Sequence, residues 1–111
     1  MEVYFRTRKL ERVFNSRELL RKEYGQENAR LITRRMAVLV SAPTLEEVPY
    51  FKPVRRHQLE GNRSGKFAVD AKDPFRIVFE PAHEPVPMLE DGGYDLSRIT
   101  AITILAVEDY H

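Results

Sequence analysis

The hydrophobic period changes once along the chain, near residue 54, and that change limits the fold more than any other feature. Before it, apolar residues fall at helical spacing: Leu10, Val13 and Phe14, then Leu19 and Leu20, then Ile32, Met36, Leu39 and Val40. Asn15 followed by Glu18 predicts an N-cap with its reciprocal acid, and Gly25 after Tyr24 predicts a helix stop. Ala42-Pro43 ends the strongest helix, 26–41, because the residue before a proline avoids the helical region. After residue 54 the period approaches 2. It predicts strands over 55–59, 66–71, 75–80 and 98–107, with turns at 61–65 and 72–74. A short strand, 2–5, precedes the helices. Helices followed by a strand meander predict an α+β domain in which an N-terminal strand and a helical pair pack on a mainly antiparallel sheet.

Two segments carry neither period. Residues 43–53 hold three prolines and read as a connector, with one helical turn over 44–48. Residues 81–97 hold three more prolines and Asp91-Gly92-Gly93, longer than connections in small domains usually run. This stretch reads as a tolerated insertion rather than a functional flap. At 111 residues and 42% hydrophobic composition the chain fits one domain, 1–111, that buries roughly two-thirds of its unfolded surface. The lack of cysteine excludes a disulfide framework, a thiolate zinc site and a cysteine nucleophile. The first residues form no apolar signal core, and the longest apolar run, 101–107, is broken by Thr103, far short of the ~20 residues of a membrane span. A cytoplasmic protein with no membrane partner is expected.

The net charge of +1 hides a division. Residues 1–57 hold 13 Lys or Arg and 7 Asp or Glu, whereas residues 58–111 hold 5 and 10, so the halves carry +6 and −5. Charge asymmetry of this kind suits a polyanionic partner, although basic helices are often only solvated faces. Arg30, Arg34 and Arg35 are expected to form an exposed stripe on the strongest helix.

Chemistry-bearing residues collect in the second half. His57 precedes a Gly-bounded turn carrying Arg63 and Lys66, a pattern suited to a phosphate site in which an imidazole moves a proton and cations hold phosphate oxygens. It is equally the pattern of an exposed histidine beside a basic hairpin. Arg76 lies in an apolar strand where Phe75, Ile77 and Phe79 share one face and Arg76 and Val78 the other; a guanidinium there pairs with a carboxylate or grips a phosphate bidentately. The end of the chain, Glu108-Asp109-Tyr110-His111, gathers acids, a phenol and an imidazole, enough for general acid–base work without a metal. His57, His83 and His111 lack metal-type spacing, so no metal or other cofactor is expected.

Tyr24-Gly25, the helix 29–42, the run His57-Gln58-Leu59-Glu60-Gly61-Asn62-Arg63-Ser64-Gly65-Lys66-Phe67-Ala68-Val69, then Pro74-Phe75-Arg76-Ile77-Val78-Phe79 and the final Val107-Glu108-Asp109-Tyr110-His111 are ordered as in one family. Together they resemble a HigB-type toxin, the plasmid-maintenance killer group of the RelE/ParE superfamily, over essentially the whole chain. The resemblance implies a RelE-like fold and an endoribonuclease, an mRNA interferase of a type II toxin-antitoxin system. Such a toxin cuts messenger RNA in the ribosomal A site and is neutralised by a cognate HigA-like helix-turn-helix antitoxin. Carried over by motif, His57, Arg76, Asp109, Tyr110 and His111 would be catalytic, Asp109 orienting an imidazole and Tyr110 stacking on a base of the bound codon. Arg63 and Lys66 would bind RNA, and the stripe of Arg30, Arg34 and Arg35 would meet either the antitoxin or ribosomal RNA. The family's Leu-Lys-Gly reads Leu59-Glu60-Gly61 here, and Asn62 and Ser64 replace the charged residues that flank its turn arginine. The lost cation leaves open a second class of function, a non-catalytic ParE-like inhibitor of gyrase or a degenerate toxin that only binds its antitoxin.

Overall fold

The structure, a computed structural model, describes residues 1–109; Tyr110 and His111 lie outside it. Strand β1 (Glu2–Phe5) is followed by three helices, α1 (Arg8–Phe14), α2 (Arg17–Tyr24) and α3 (Gln26–Ser41). Strands β2 (His57–Gln58), β3 (Phe67–Asp70), β4 (Phe75–Pro81) and β5 (Ala101–Asp109) complete the described elements, with short 3-10 turns at Leu45–Glu47, Gly61–Arg63 and Leu96–Arg98. The sheet order is β1-β5-β4-β3-β2. Only the β1–β5 pair is parallel among the described strands, because the intervening chain returns to lay β5 against β1; β2 to β5 form an antiparallel meander. The architecture is α+β as expected, with three helices in place of a pair packed on a five-stranded mixed sheet.

Local chemistry sets the helix ends. Thr7 Oγ1 accepts the Leu10 N–H at 3.1 Å and Ser16 Oγ accepts the Leu19 N–H at 3.1 Å. The cap of α2 is thus Ser16; Asn15 instead closes α1, returning its backbone N–H to Glu11 and Val13. Gly25, at φ +86°, sits in the left-handed region and reverses the chain between α2 and α3. The helices place Val13, Leu20, Ala29, Ile32 and Leu39 against Phe67, Val69, Ile77, Phe79, Ile102 and Ile104 of the sheet, and the Phe67 and Phe79 rings stack at 6.1 Å. Leu45 and Val48 of the proline-rich connector are fully buried, as the expected helical turn over the core requires.

Arg35 departs from expectation. It is 7% exposed, and its Nε donates to the Asp70 carbonyl at 2.7 Å, so it ties α3 to the end of β3 instead of joining a surface stripe. Burial lowers its pKa, a shift that nearby Asp70 opposes. Nearby, Asn28 Oδ1 receives the Lys72 N–H at 3.1 Å, fastening α3 to the β3–β4 turn. The ends of the strands also move: regular pairing of β2 is confined to His57–Gln58, and β5 begins at Ala101 and reaches Asp109.

The long 81–97 connection is packed against the rest of the fold. Met88 bridges Tyr94, and His83 Nε2 accepts the Thr100 and Ala101 N–H groups. Tyr94 packs edge-on against Phe67 at 5.9 Å, so the segment covers the helix-side core.

Because Arg35 satisfies a carbonyl from a buried position, Arg35→Ala should lower the free energy of unfolding in urea by about 2 kcal/mol. Arg34→Ala, on the exposed side of the same helix, should change it by less than ~0.5 kcal/mol. Equal effects would contradict the assignment of Arg35 to the fold.

Candidate functional site

Side chains that pair across a sheet share a face, so the register identifies what surrounds His57. His57 pairs with Ala68, Ala68 with Val78 and Val78 with Ala106; one row along, Asp70 pairs with Arg76 and Arg76 with Glu108. All point away from the helices. Leu59, Ala68, Val78 and Leu105 form a small apolar floor on that face. Strand spacing and rise put the His57 and Arg76 backbones roughly 12 Å apart, a gap that an imidazole and a guanidinium both reach into. Lys66 shares this face by alternation, since the next residue, Phe67, is in the helix-side core.

His57 Nδ1 lies 2.8 Å from the Arg55 carbonyl oxygen. A carbonyl only accepts, so Nδ1 carries a proton, and the neutral form of the ring is the tautomer with its lone pair on Nε2. That is the tautomer a general base needs. The carbonyl is held in place by an unusual backbone: Arg55 has φ +48°, a left-handed conformation that costs a non-glycine residue on the order of 1 kcal/mol or more. Its guanidinium grips Asp70 bidentately, Nε to Oδ2 at 2.6 Å and Nη2 to Oδ1 at 2.9 Å. Hydrogen bonds from Leu59 N to Lys66 O and from Asp70 N to Val54 O continue the pairing on either side of β2.

Arg63 reaches from the 3-10 turn across the face, where its Nη2 donates to Glu108 Oε2 at 2.6 Å. The other oxygen of Glu108 lies 3.8 Å from Arg76 Nη2. Glu108 therefore sits between two arginines. The side chain of Arg76 is 16% exposed and those of Arg63 and Glu108 are 34% and 30% exposed. Around His57 the face carries four cations, Arg55, Arg63, Lys66 and Arg76, against three carboxylates, Asp70, Glu80 and Glu108, a surplus of one that favours an anion.

The structure thus brings together His57, Arg63, Lys66 and Arg76 of the expected set. Asp109 is exposed and stands opposite Phe75, in the register of the helix-side row; Glu108 occupies the position beside Arg76. Tyr110 and His111 fall outside the described residues. Arg34 is exposed on the helix layer, away from this face, and Arg35 is buried. Arg55 and Asp70 escaped sequence reasoning, although the alternation of Ala68 and Asp70 with Phe67 and Val69 was a usable signal, and Glu108 was read only as one of the chain-end acids. Among the described residues no group of three or more His, Asp or Glu is arranged to hold a metal ion. No helix of the described residues is long and apolar enough to cross a membrane. No protein-family model, no curated protein and no solved structure matches the chain.

A double-mutant cycle on Arg63→Ala and Glu108→Ala should return a coupling of about 0.5–1 kcal/mol in urea unfolding, because the pair is two-thirds shielded and short. The more exposed Lys72–Glu27 pair should give close to zero. A vanishing Arg63–Glu108 coupling would mean that the turn does not close over the face.

Proposed function

We propose that the protein is a HigB-type toxin of the RelE/ParE superfamily, a ribosome-dependent endoribonuclease that cuts messenger RNA by metal-independent acid–base chemistry in the cytoplasm. The observation that carries this reading is the placement of His57, with Nε2 as its basic nitrogen, on the same sheet face as Arg76, Arg63 and Lys66. A base, a cation for the reacting phosphate and further cations for its neighbours are the groups that transfer of an RNA phosphodiester requires.

In the proposed reaction His57 Nε2 removes the proton of a ribose 2′-OH as that oxygen attacks the adjacent phosphorus. Arg76 stabilises the negative charge that develops on the non-bridging oxygens. The 5′ oxygen leaves with a proton from an acid, a role for which the resemblance offers His111, with Asp109 orienting it and Tyr110 stacking on a base. The products are a 2′,3′-cyclic phosphate and a 5′-hydroxyl. Acid–base groups each supply ~10²- to 10⁴-fold, so a partner that positions the strand, the ribosome in this reading, accounts for the remaining acceleration. A cognate helix-turn-helix antitoxin is the proposed neutralising partner.

The carboxylates already bound to Arg55 and Arg63, together with Glu60, favour the second reading, a non-catalytic toxin that acts through protein contacts. Translating ribosomes supplied with the protein, followed by mapping of RNA 5′ ends, separate the two. Codon-linked cuts are expected, falling ~10²-fold or more in His57→Ala and in Arg76→Ala proteins that retain the wild-type melting temperature. Uncut message at high protein concentration, with growth arrest unaffected by either substitution, would overturn the nuclease reading in favour of the second.

A further inference from the structure

A second cationic site lies on the helix layer, on the side of the sheet opposite His57. Helices α2 and α3, folded against each other at Gly25, leave between them a groove of about 410 Å³ lined by Arg17, Arg21, Arg30 and Arg34 over a floor of Ala29 and Thr33. Each helix contributes two arginines at i and i+4, so each pair lies on one helix face about 6 Å apart along the axis. All four are exposed, and none makes a salt bridge or side-chain hydrogen bond among the described residues. Of the remaining arginines, Arg35, Arg55, Arg56 and Arg63 have internal acceptors, and Arg6, Arg8, Arg12 and Arg98 lie outside the groove. Four guanidinium groups held in one concavity without a counter-charge repel one another, and an external polyanion relieves that repulsion.

We infer that this groove binds the phosphodiester backbone of RNA, as a second anchoring site independent of the strand face. Guanidinium forks match phosphate oxygens bidentately. The groove also lacks what a protein partner would use. The large exposed apolar residues, Tyr4, Val40, Tyr50, Phe51, Met88 and Leu89, all lie outside it, so no bulky apolar side chain stands there to anchor in a protein partner. Contact would be with backbone rather than with base edges, giving binding that is strong in low salt and indifferent to sequence. With the sheet between the two sites, a ligand in the groove does not compete for the His57 face. An RNA held here can carry the protein while another strand is presented to that face.

The test uses the full chain and a fluorescent 2′-O-methyl RNA hairpin of arbitrary sequence, read by anisotropy between 50 and 200 mM KCl. This probe cannot undergo 2′-oxygen attack, so its binding is judged separately from cleavage. Substituting Arg17, Arg21, Arg30 and Arg34 together by Gln should weaken binding roughly 100-fold at 50 mM salt and reduce the slope of log affinity against log salt by about 3. A control with Arg8, Lys9, Arg12 and Lys22 changed to Gln loses the same charge and should reduce the slope by less than about 1. Equal losses in the two proteins, or none in the groove variant, would overturn the site. Loss of polyglutamate binding in the groove variant with RNA binding intact would overturn it in favour of an acidic protein partner.

Discussion

One extra residue in β5 determines what both faces of the sheet present. Val78 pairs with Ala106 and Phe79 with Ile104, so Leu105 has no partner of its own and the strand bulges there. Before the bulge the even residues Ile102 and Ile104 face the helices; after it, Val107 does, and Glu108 turns to the other side. In an unbroken strand Glu108 would follow Ile102 and Ile104 into the helix-side core, where a carboxylate without a partner is costly to bury. The bulge lets a nine-residue strand serve the core along its first half and deliver an acid to Arg76 at its end.

Strand β4 transmits that arrangement. It is buried on both sides, Ile77 and Phe79 against the helices and Val78 against Leu59, Ala68 and Leu105. Its position is therefore fixed by packing rather than by the charges of the face. Asp70 links the layers, since its carbonyl takes the hydrogen bond of Arg35 from the helices while its carboxylate holds Arg55 on the opposite face. Arg55 in turn presents the carbonyl that fixes the His57 tautomer. A buried arginine on a helix thus supports, through two residues, the geometry of an imidazole on the other side of the sheet.

Much of this was legible because period and face are the same information. The switch from helical spacing to alternation gave the order of elements, and the alternation of Phe75, Ile77 and Phe79 with Arg76 and Val78 put Arg76 on the non-helical face. Long-range pairings were hidden. Arg35 stands three residues after Ile32 and four before Leu39, on the apolar face of α3, but its charge masked that signal, and its acceptor is a carbonyl 35 positions away. The approach of Glu108 to Arg76 was hidden because a bulge, which depends on pairing, shifts phase without a local signature. Asn15 and Ser16 are both good caps, and the geometry that favours Ser16 is set where α1 ends. The contacts of the 81–97 stretch were hidden because its prolines and glycines mask the few residues, Tyr94 and His83 among them, that fasten it down.

The central claim is that the His57 face performs transfer of an RNA phosphodiester to its own 2′ oxygen. Analysis of the ends formed when the protein acts on ribosome-bound message tests this most directly. The account predicts fragments ending in 2′,3′-cyclic phosphate and no cut where the nucleotide 5′ to the scissile bond carries 2′-deoxyribose. Cutting that persists at the 2′-deoxy position, leaving a 3′-hydroxyl, would contradict it.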